Sequence, residues 1–265
     1  MKDRPIGIFD SGVGGLTVAH AIRQLLPDES IVYFGDTAHL PYGDKSADSI
    51  IQYSRKITEF LLEKDAKIIL VACNSASASA YEVLKEEFPH TLILDVIDPV
   101  VDYLAKKTYS KIGVIGTKRT ISSGTYDKKI GEKIKSAGVV SLATPLLVPM
   151  IEEGFIFDDI SNAIIRTYLS NPCLTGIEAL ILGCTHYPII KNQISKFFNF
   201  NIEVIDSARE VAQKLRELLV KNGLANTPGL LKDSFYVSDF TPWFGKISRM
   251  FFGEDIDLVR ADIWH

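Results

Sequence analysis

The sequence predicts an α/β fold of two similar, doubly wound domains with parallel sheets that face each other across a cleft. Short β-branched runs alternate along the chain with amphipathic runs long enough for helices, which is typical of repeated βα units. Motifs at the ends of three strands in the first half return, in the same order, in the second half. A duplicated α/β unit accounts for both observations.

The first half begins with a strand and alternates strands with helices up to Asp98-Pro99, a natural break. Its strands are short apolar runs. Its longest helix carries apolar side chains at three- and four-residue steps, as one buried face requires. In chain order, the predicted elements are Pro5–Phe9, Leu16–Leu26, Ser30–Gly35, Ser46–Glu63, Lys67–Ala72, Ser75–Phe88 and Thr91–Ile97.

The second half repeats these strand ends at a nearly constant distance. KIGVIGTKRTI is similar to PIGIFDSGVGG, ALILGCTHYP to IILVACNSAS, and EVIDSA to DVIDPV. The offset is 106 residues between Gly7 and Gly113, 111 between Cys73 and Cys184, and 108 between Asp98 and Asp206. These offsets indicate two flavodoxin-like domains related by pseudo-symmetry, with the active site in the cleft between them.

The tail from about Glu210 does not fit the second half. It contains a predicted helix, Val211–Asn222, a strand-like FYVSDF segment and an aromatic-rich helix near Trp243. We expect this tail to cross back and complete the first sheet. The predicted first domain is therefore residues 1–97 plus 210–265, and the predicted second domain is residues 98–209.

Composition and charge exclude several classes of protein. The chain has 265 residues, of which 29 are Lys or Arg and 33 are Asp or Glu, so it is mildly acidic and has no basic stripe for a nucleic acid. No apolar run approaches the ~18–20 residues of a membrane span, and the N-terminus lacks the apolar segment of a signal peptide. Three cysteines do not indicate a disulfide scaffold, so we expect a cytoplasmic protein with reduced thiols.

Two cysteines are the main candidates for chemistry. Cys73 and Cys184 each follow an apolar strand and precede a predicted helix, whose N-terminus lowers the pKa of a thiol. If the halves face each other, the two thiols line opposite walls of one cleft. This placement suits racemisation, because one group removes the α-proton from one face and the other returns a proton to the opposite face. Cys173, in SNPCL, has no counterpart in the repeat and is not a candidate.

Other uses of the thiols fit the sequence less well. A redox dithiol has Cys-x-x-Cys spacing, which is absent, and a papain-like hydrolase leaves the second thiol unexplained. Cys73, Cys184, His186 and Asp10 could in principle surround zinc, but none of the usual metal-ligand spacings is present. We therefore predict no metal.

Polar residues beside the thiols are candidate helpers. Asp10 ends the first strand and can orient Cys73 and bind a substrate ammonium, or it can cap the following helix. His186 lies two residues after Cys184 and can assist that thiol, or it too can cap a helix. The sequence alone leaves both pairs of interpretations open.

Glycine and hydroxyl residues at the strand ends are candidate ligands for carboxylates. SGVGG, Ser11–Gly15, matches neither a P-loop nor a dinucleotide fingerprint. It serves either tight packing or the binding of a carboxylate by Ser11 and nearby N–H groups. PYG, Pro41–Gly43, is a turn whose backbone can approach a ligand closely. Thr117 and Thr120, at the equivalent turn of the second half, can bind a second carboxylate.

These motifs resemble those of bacterial glutamate racemases along essentially the whole chain. The similar segments are DSGVGG, PYG, ACNSASA, LVPMIEEG and GCTHYP, of which the two cysteine motifs are the most specific. The resemblance implies two α/β domains with the substrate buried between them. It also implies a cofactor-independent enzyme, dimeric as is common in the family, that interconverts L- and D-glutamate for peptidoglycan synthesis.

The resemblance also implies roles for individual residues. Cys184 deprotonates L-glutamate, and Cys73 deprotonates D-glutamate. Asp10 and Glu152 match the acidic helpers, and His186 matches the residue that assists Cys184. The implied substrate contacts are Asp10, Ser11, Tyr42, Gly43, Asn74, Ser75, Thr185 and His186, together with Thr117 and Thr120. The family usually has Thr where this chain has Ser75, which keeps the hydroxyl and loses a methyl group.

Some alternatives remain open at this point. Glu152 is followed by Glu153, and the sequence does not say which of the two faces the cleft. An aspartate racemase of the same superfamily would share the thiols and the fold, since nothing in the composition selects glutamate. A non-catalytic, two-lobed amino-acid-binding protein would bind the substrate without exchanging its α-proton. A thiol hydrolase would form an acyl adduct on one cysteine.

Overall fold

The computed structural model describes residues 3–226, 232–240, 242–252 and 256–264. Within these ranges the chain forms ten strands and eleven α-helices. The strands are β1 Ile6–Asp10, β2 Ile31–Gly35, β3 Ile68–Val71, β4 Ile93–Asp95, β5 Lys111–Gly116, β6 Gly138–Ala143, β7 Ala179–Gly183, β8 Glu203–Ile205, β9 Ser234–Val237 and β10 Leu258–Arg260. The helices are α1 Leu16–Leu25, α2 Ala47–Glu63, α3 Asn74–Glu87, α4 Asp98–Leu104, α5 Lys118–Ser122, α6 Thr125–Lys133, α7 Leu147–Glu152, α8 Asp159–Leu169, α9 Lys191–Phe197, α10 Ser207–Lys221 and α11 Pro242–Phe252.

The strands form two parallel sheets. The larger sheet has the order β10-β9-β2-β1-β3-β4, and the smaller sheet has the order β6-β5-β7-β8. The run β2-β1-β3-β4 follows the same order along the chain as β6-β5-β7-β8, so the second sheet repeats the core of the first. The prediction of two similar, doubly wound α/β domains is confirmed.

The two cysteine motifs occupy equivalent positions in this repeat. Ile68 of β3 pairs with the first residue of β1, and Ala179 of β7 pairs with Ile112 of β5. Cys73 and Cys184 each lie five residues further along, at the carboxyl ends of their strands. Each thiol is therefore carried by the third strand of its own half.

The third pair of repeated motifs, DVIDPV and EVIDSA, is aligned differently by the strand pairing than by the sequence similarity. Val71 of β3 pairs with Asp95, and Ile181 of β7 pairs with Ile205, so one further step places Asp206 at the position equivalent to Asp95. The predicted equivalence of Asp206 with Asp98 is therefore wrong. The similar letters instead align the starts of α4 and α10, which lie at different distances from their strands.

The tail returns to the first sheet, where β9 pairs with β2 and β10 pairs with β9. The helix α10 packs against α1 and α4. The predicted boundary between residues 209 and 210 falls inside α10, and the two domain boundaries remain a prediction. The side chain of Trp243 lies outside the described part of the chain.

Helices on both faces of each sheet hold the strand ends in place. β1, β3 and β7 are buried along their whole length, as expected for central parallel strands. In α2, Ile50, Ile57 and Leu61 are buried, and each such side chain contributes roughly 1.5–3 kcal/mol. None of the helices that the structure describes has both the length and the apolar character to cross a membrane.

Candidate active site

A cavity lies where the carboxyl ends of the two sheets meet. Its volume is about 50 Å³, room for roughly four water molecules. The predicted site residues that line it are Ser11, Tyr42, Gly43, Cys73, Asn74, Ser75, Thr117, Cys184, Thr185 and His186. Asp10, Glu152 and Thr120 are not part of this lining but contact residues that are.

Cys73 lies on the wall formed by the first half. It is the N-cap residue of α3 and is buried, with its Sγ 3.7 Å from Oγ of Ser11. Burial, together with the negative charge of Asp10, raises the pKa of Cys73 to about 12. The backbone N–H of Ala76 and the Ser11 hydroxyl lower the pKa, but by less. The expectation of a lowered pKa for this thiol is therefore wrong, because burial outweighs the effect of the helix N-terminus.

Asp10 joins the two halves behind Cys73. Its carboxylate is fully buried, and Oδ2 accepts a hydrogen bond of 2.9 Å from the backbone N–H of Gly12. Oδ1 accepts a hydrogen bond of 3.2 Å from the hydroxyl of Thr185 in the second half. Asp10 does not cap α1, whose N-cap residue is Gly15. The interpretation of Asp10 as a helix cap is therefore wrong, and its role beside Cys73 remains a prediction.

Cys184 lies on the opposite wall with two charged neighbours in line. Its Sγ is 3.8 Å from Nδ1 of His186, and Nε2 of His186 is 3.0 Å from Oε1 of Glu152, off the ideal direction for a hydrogen bond. Burial lowers the pKa of His186, but its contacts with Cys184 and Glu152 outweigh this and raise the pKa well above its usual value. Glu153 is exposed, so Glu152 is the carboxylate that faces the site.

Hydroxyl groups from both halves meet on a third side of the cavity. Oγ of Ser75, in α3, lies 2.9 Å from Oγ1 of Thr117 and 3.2 Å from Oγ1 of Thr120. Thr117 is the N-cap residue of α5 and accepts a hydrogen bond from the N–H of Thr120. The result is a cluster of hydroxyls at two helix N-termini, which is an arrangement suited to a carboxylate.

Two lining side chains are fixed by buried partners that the sequence did not single out. The hydroxyl of Tyr42 donates a hydrogen bond of 2.6 Å to Oδ2 of Asp36, which is fully buried. The amide oxygen of Asn74 accepts a hydrogen bond of 2.8 Å from the hydroxyl of Tyr126. Burial is the main cause that raises the pKa of both tyrosines, so each remains a hydrogen-bond donor.

Other lining residues were also missed. The segment after β6 contributes Thr144, Pro145 and Val148, and β6 itself was not predicted. At the mouth, Asp44 of the first half forms an ion pair of 3.3 Å with Lys118 of the second half. The sequence signal that could have indicated Lys118 is the change from apolar to polar residues at the end of β5. Lys118 directly follows Thr117 there.

This arrangement suits acid–base chemistry at a carbon atom between two thiols. One thiol comes from each sheet, both line the same cavity, and each has a carboxylate close by, directly or through an imidazole. Among the residues that the structure describes, no three His, Cys, Asp or Glu side chains are grouped to hold a metal ion. The fold and the site together define a protein of two α/β halves whose shared cavity is lined by one thiol from each half.

Comparisons with known proteins identify the family. The family model for Asp/Glu/Hydantoin racemase matches residues 16–215. The glutamate racemase of Chlorobaculum parvum is 43% identical over 260 residues, with 96% of each chain covered. That of Neisseria meningitidis serogroup B is 38% identical over 261 residues, covering 98% of this chain and 96% of the relative. The chain belongs to the Asp/Glu/Hydantoin racemase family.

Solved structures agree with this assignment. The glutamate racemase of Francisella tularensis, solved in complex with D-glutamate, superposes with a TM-score of 0.93 at 37% identity and covers 100% of this chain and 99% of that one. A glutamate racemase isoform from Bacillus anthracis gives a TM-score of 0.94 at 34% identity, with coverage of 99% and 98%. The chain is therefore an amino-acid racemase, an isomerase, and the resemblance to bacterial glutamate racemases is confirmed.

Proposed function

We propose that this chain interconverts L- and D-glutamate by transfer of the α-proton between two thiols, Cys73 and Cys184, without a cofactor. The observation that carries the proposal is that these two buried thiols, one from each half of a duplicated fold, line one small cavity. A single acid–base group serves only one face of the α-carbon, whereas inversion needs a proton removed on one face and delivered on the other.

The two thiols differ in their surroundings, which supports different protonation states before the reaction. Cys73 holds its proton, because burial and the charge of Asp10 raise its pKa to about 12. Cys184 faces an imidazole whose pKa is raised well above its usual value, so His186 carries a proton it can donate to the sulfur as a hydrogen bond. We assign Cys184 as the base for L-glutamate and Cys73 as the acid in that direction.

In the conversion of L- to D-glutamate, each bond that breaks is matched by a bond that forms. The thiolate of Cys184 takes the α-proton, the C–H bond breaks, and its electron pair delocalises into the α-carboxylate. The S–H bond of Cys73 then breaks and its proton bonds to the opposite face of the α-carbon. Cys184 ends as a thiol and Cys73 as a thiolate, which is the state required for the reverse reaction. Asp10 acts on Cys73 through its charge, and Glu152 acts through its contact with His186.

Glutamate, rather than aspartate, is the substrate we propose. The curated relatives at 38–43% identity are named glutamate racemases, whereas the structures of an aspartate racemase and of an aspartate racemase homologue share only 20–21% identity and TM-scores of 0.52–0.56 with this chain. The hydroxyls around Ser75 and Thr117, and that of Ser11, are available for its two carboxylates. Supply of D-glutamate for peptidoglycan, a cytoplasmic location and a homodimer remain predictions from the resemblance.

Proton NMR tests this function directly. L-Glutamate is incubated with the purified protein in D₂O with a chelator and without added cofactor, and the products are then separated on a chiral column. We expect the α-proton signal to disappear while D-glutamate forms, and we expect almost no D-glutamate with Cys73→Ser or Cys184→Ser. Cys173→Ser, which removes a thiol outside the cavity, is the matched control. No exchange by the unaltered protein would exclude the proposal.

A further inference from the structure

The glycine loop after β1, Ser11–Gly15, packs against the turn that follows Cys184 in the opposite half. A Cβ built on Gly14 would lie 2.6 Å from Nδ1 and 2.8 Å from Cε1 of His186, and closer still to Oγ1 of Thr185. Real Cβ atoms essentially never approach another heavy atom within 3.0 Å. Any side chain at position 14 therefore has to displace the imidazole of His186, the hydroxyl of Thr185, or both.

The atoms that would be displaced belong to the two residues that directly follow Cys184. Nδ1 of His186 is the nitrogen that faces Sγ of Cys184 at 3.8 Å. Oγ1 of Thr185 is the donor of the hydrogen bond to Asp10 that joins the two halves. Both contacts have little freedom to adapt, because His186 and Thr185 are 3% and 4% exposed.

Thr17 secures the same contact from the next turn. Its buried hydroxyl lies 2.8 Å from the carbonyl oxygen of Gly14 and 3.2 Å from the carbonyl oxygen of Thr185, one in each half. The loop of the first half thus holds Thr185 at its backbone through Thr17 and at its side chain through Asp10. By contrast, a Cβ on Gly15 would meet Asp10 and Tyr33, which belong to its own half.

We propose that Gly14 is a positioning residue for proton transfer at Cys184, because its missing side chain sets where the imidazole of His186 stands relative to the sulfur. Thr17 supports the same geometry by holding the backbone of Thr185. This inference rests on the proposed function, since it assigns Cys184 to L-glutamate. It gives the SGVGG segment a role in catalysis across the cleft as well as in packing of its own helix.

The first test compares Gly14→Ala with Gly131→Ala, a glycine around which a Cβ would meet nothing within 4 Å. We expect Gly14→Ala to lower kcat/KM about ten- to a hundredfold, because small misplacements of catalytic groups have effects of this size. We expect Gly131→Ala to leave kcat/KM unchanged. Equal activity of Gly14→Ala and the unaltered protein would overturn the proposal.

Deuterium isotope effects separate positioning from a general loss of folded enzyme. If only proton transfer at Cys184 slows, the removal of the α-deuteron of L-glutamate by Cys184 becomes more rate-limiting. The isotope effect on kcat/KM should then rise for α-deuterated L-glutamate and fall for α-deuterated D-glutamate. A lower rate with both isotope effects unchanged would contradict a positioning role at Cys184.

Thr17→Val tests the same contact without adding bulk at position 14. Loss of one buried hydrogen bond should lower kcat/KM about three- to tenfold and move both isotope effects in the same directions as Gly14→Ala. Thr58→Val is its control, because Thr58 is also buried and donates to a helical carbonyl but lies in α2, outside the cavity lining. Equal effects of the two valine variants would contradict the role of Thr17.

A readout that does not depend on activity distinguishes this proposal from the proposed function. In protein labelled with ¹³C at Cε1 of its five histidines, the His186 signal is assigned with His186→Asn. Gly14→Ala should shift that signal and its titration, and Gly131→Ala should not. An unmoved signal in Gly14→Ala overturns the positioning contact. If the signal shifts in Gly14→Ala but the unaltered protein exchanges no α-proton of glutamate, the result supports the contact and excludes the racemisation mechanism.

Discussion

The hydroxyl of Thr185 donates a hydrogen bond of 3.2 Å to the carboxylate of Asp10 across the cleft. A second contact, between the hydroxyls of Ser75 and Thr117 at 2.9 Å, joins the halves in the reciprocal sense. In each contact, the residues just after one cysteine meet the end of the first strand of the other half. The two halves of the duplicated fold therefore close the cavity, because the turn after each cysteine packs against the opposite half.

The free energy of unfolding should fall as the pH rises from about 9 toward 12, and part of this fall should belong to Cys73. Its pKa is raised from 9.0 to about 12 in the folded chain by burial and by Asp10. Above pH 9 the unfolded chain loses this proton while the folded chain keeps it, so the contribution is complete below pH 9 and is lost as the pH approaches 12.

Urea unfolding of the unaltered protein and of Cys73→Ser, at several pH values in this range, measures the contribution. The difference between the two proteins should change by about 1.4 kcal/mol for each pH unit. Cys173→Ser controls for the loss of a thiol elsewhere. Parallel pH profiles for the unaltered protein and Cys73→Ser would contradict the raised pKa.

Glu152→Gln should lower the pKa of His186, because the contact with the Glu152 carboxylate is one of the two that hold it above its usual value. A raised pKa means that the imidazole keeps its proton to higher pH, so a lowered pKa moves the loss of that proton to lower pH. The alkaline limb of kcat for L-glutamate should therefore move to lower pH in the variant.

Glu153→Gln is the matched control for this change, since Glu153 is exposed beside Glu152. Kinetics over a pH series measures the position of the limb, and ¹³C NMR of the labelled imidazole measures the pKa itself. If Glu153→Gln moves the limb as far as Glu152→Gln does, the assignment of Glu152 to the site is contradicted.

Asp36→Ala should lower both stability and substrate binding. The buried carboxylate of Asp36 accepts hydrogen bonds from Tyr42 at 2.6 Å and Ser238 at 2.8 Å, and it lies 2.8 Å from Nδ1 of His39. Removing it leaves the buried hydroxyls of Tyr42 and Ser238 without this partner, at a cost of about 2–4 kcal/mol in the free energy of unfolding. KM for L-glutamate should rise, because Tyr42 lines the cavity.

Urea unfolding and steady-state kinetics check both effects of Asp36→Ala. Asp44→Ala is the comparison, because Asp44 lies in the same loop but forms an exposed ion pair with Lys118. Exposed pairs contribute about 1 kcal/mol or less, so Asp44→Ala should be the less destabilised variant. A smaller loss of stability in Asp36→Ala than in Asp44→Ala would contradict the importance of the buried carboxylate.

The sequence was most informative about the central strands and the turns that follow them. β1, β3 and β7 are buried on both faces, so each appears as an uninterrupted apolar run. The repeat points to Cys73 and Cys184 independently of the resemblance. Edge strands were harder, because β6 is half-exposed and β10 is more exposed, and neither forms such a run.

Contacts between distant parts of the chain could not be predicted. Asp36 meets Ser238 across 202 residues, and no local pattern announces that contact. The pKa of Cys73 was expected to fall because a helix begins beside it. Its pKa instead rises, because complete burial and a neighbouring carboxylate depend on the tertiary fold. The place of Gly14 against His186 likewise depends on how the two halves meet.

The measurement that tests the two-thiol mechanism most directly is the half-reaction of each single cysteine variant. A glutamate with a leaving group on its β-carbon eliminates that group once its α-proton is removed, so no second thiol is needed. Cys73→Ser should eliminate only from the L-enantiomer, through Cys184, and Cys184→Ser only from the D-enantiomer, through Cys73. Both variants should racemise glutamate at least about a hundredfold more slowly than the unaltered protein. Elimination from both enantiomers by either variant, or near-normal racemisation, would contradict the assignment of one thiol to each face.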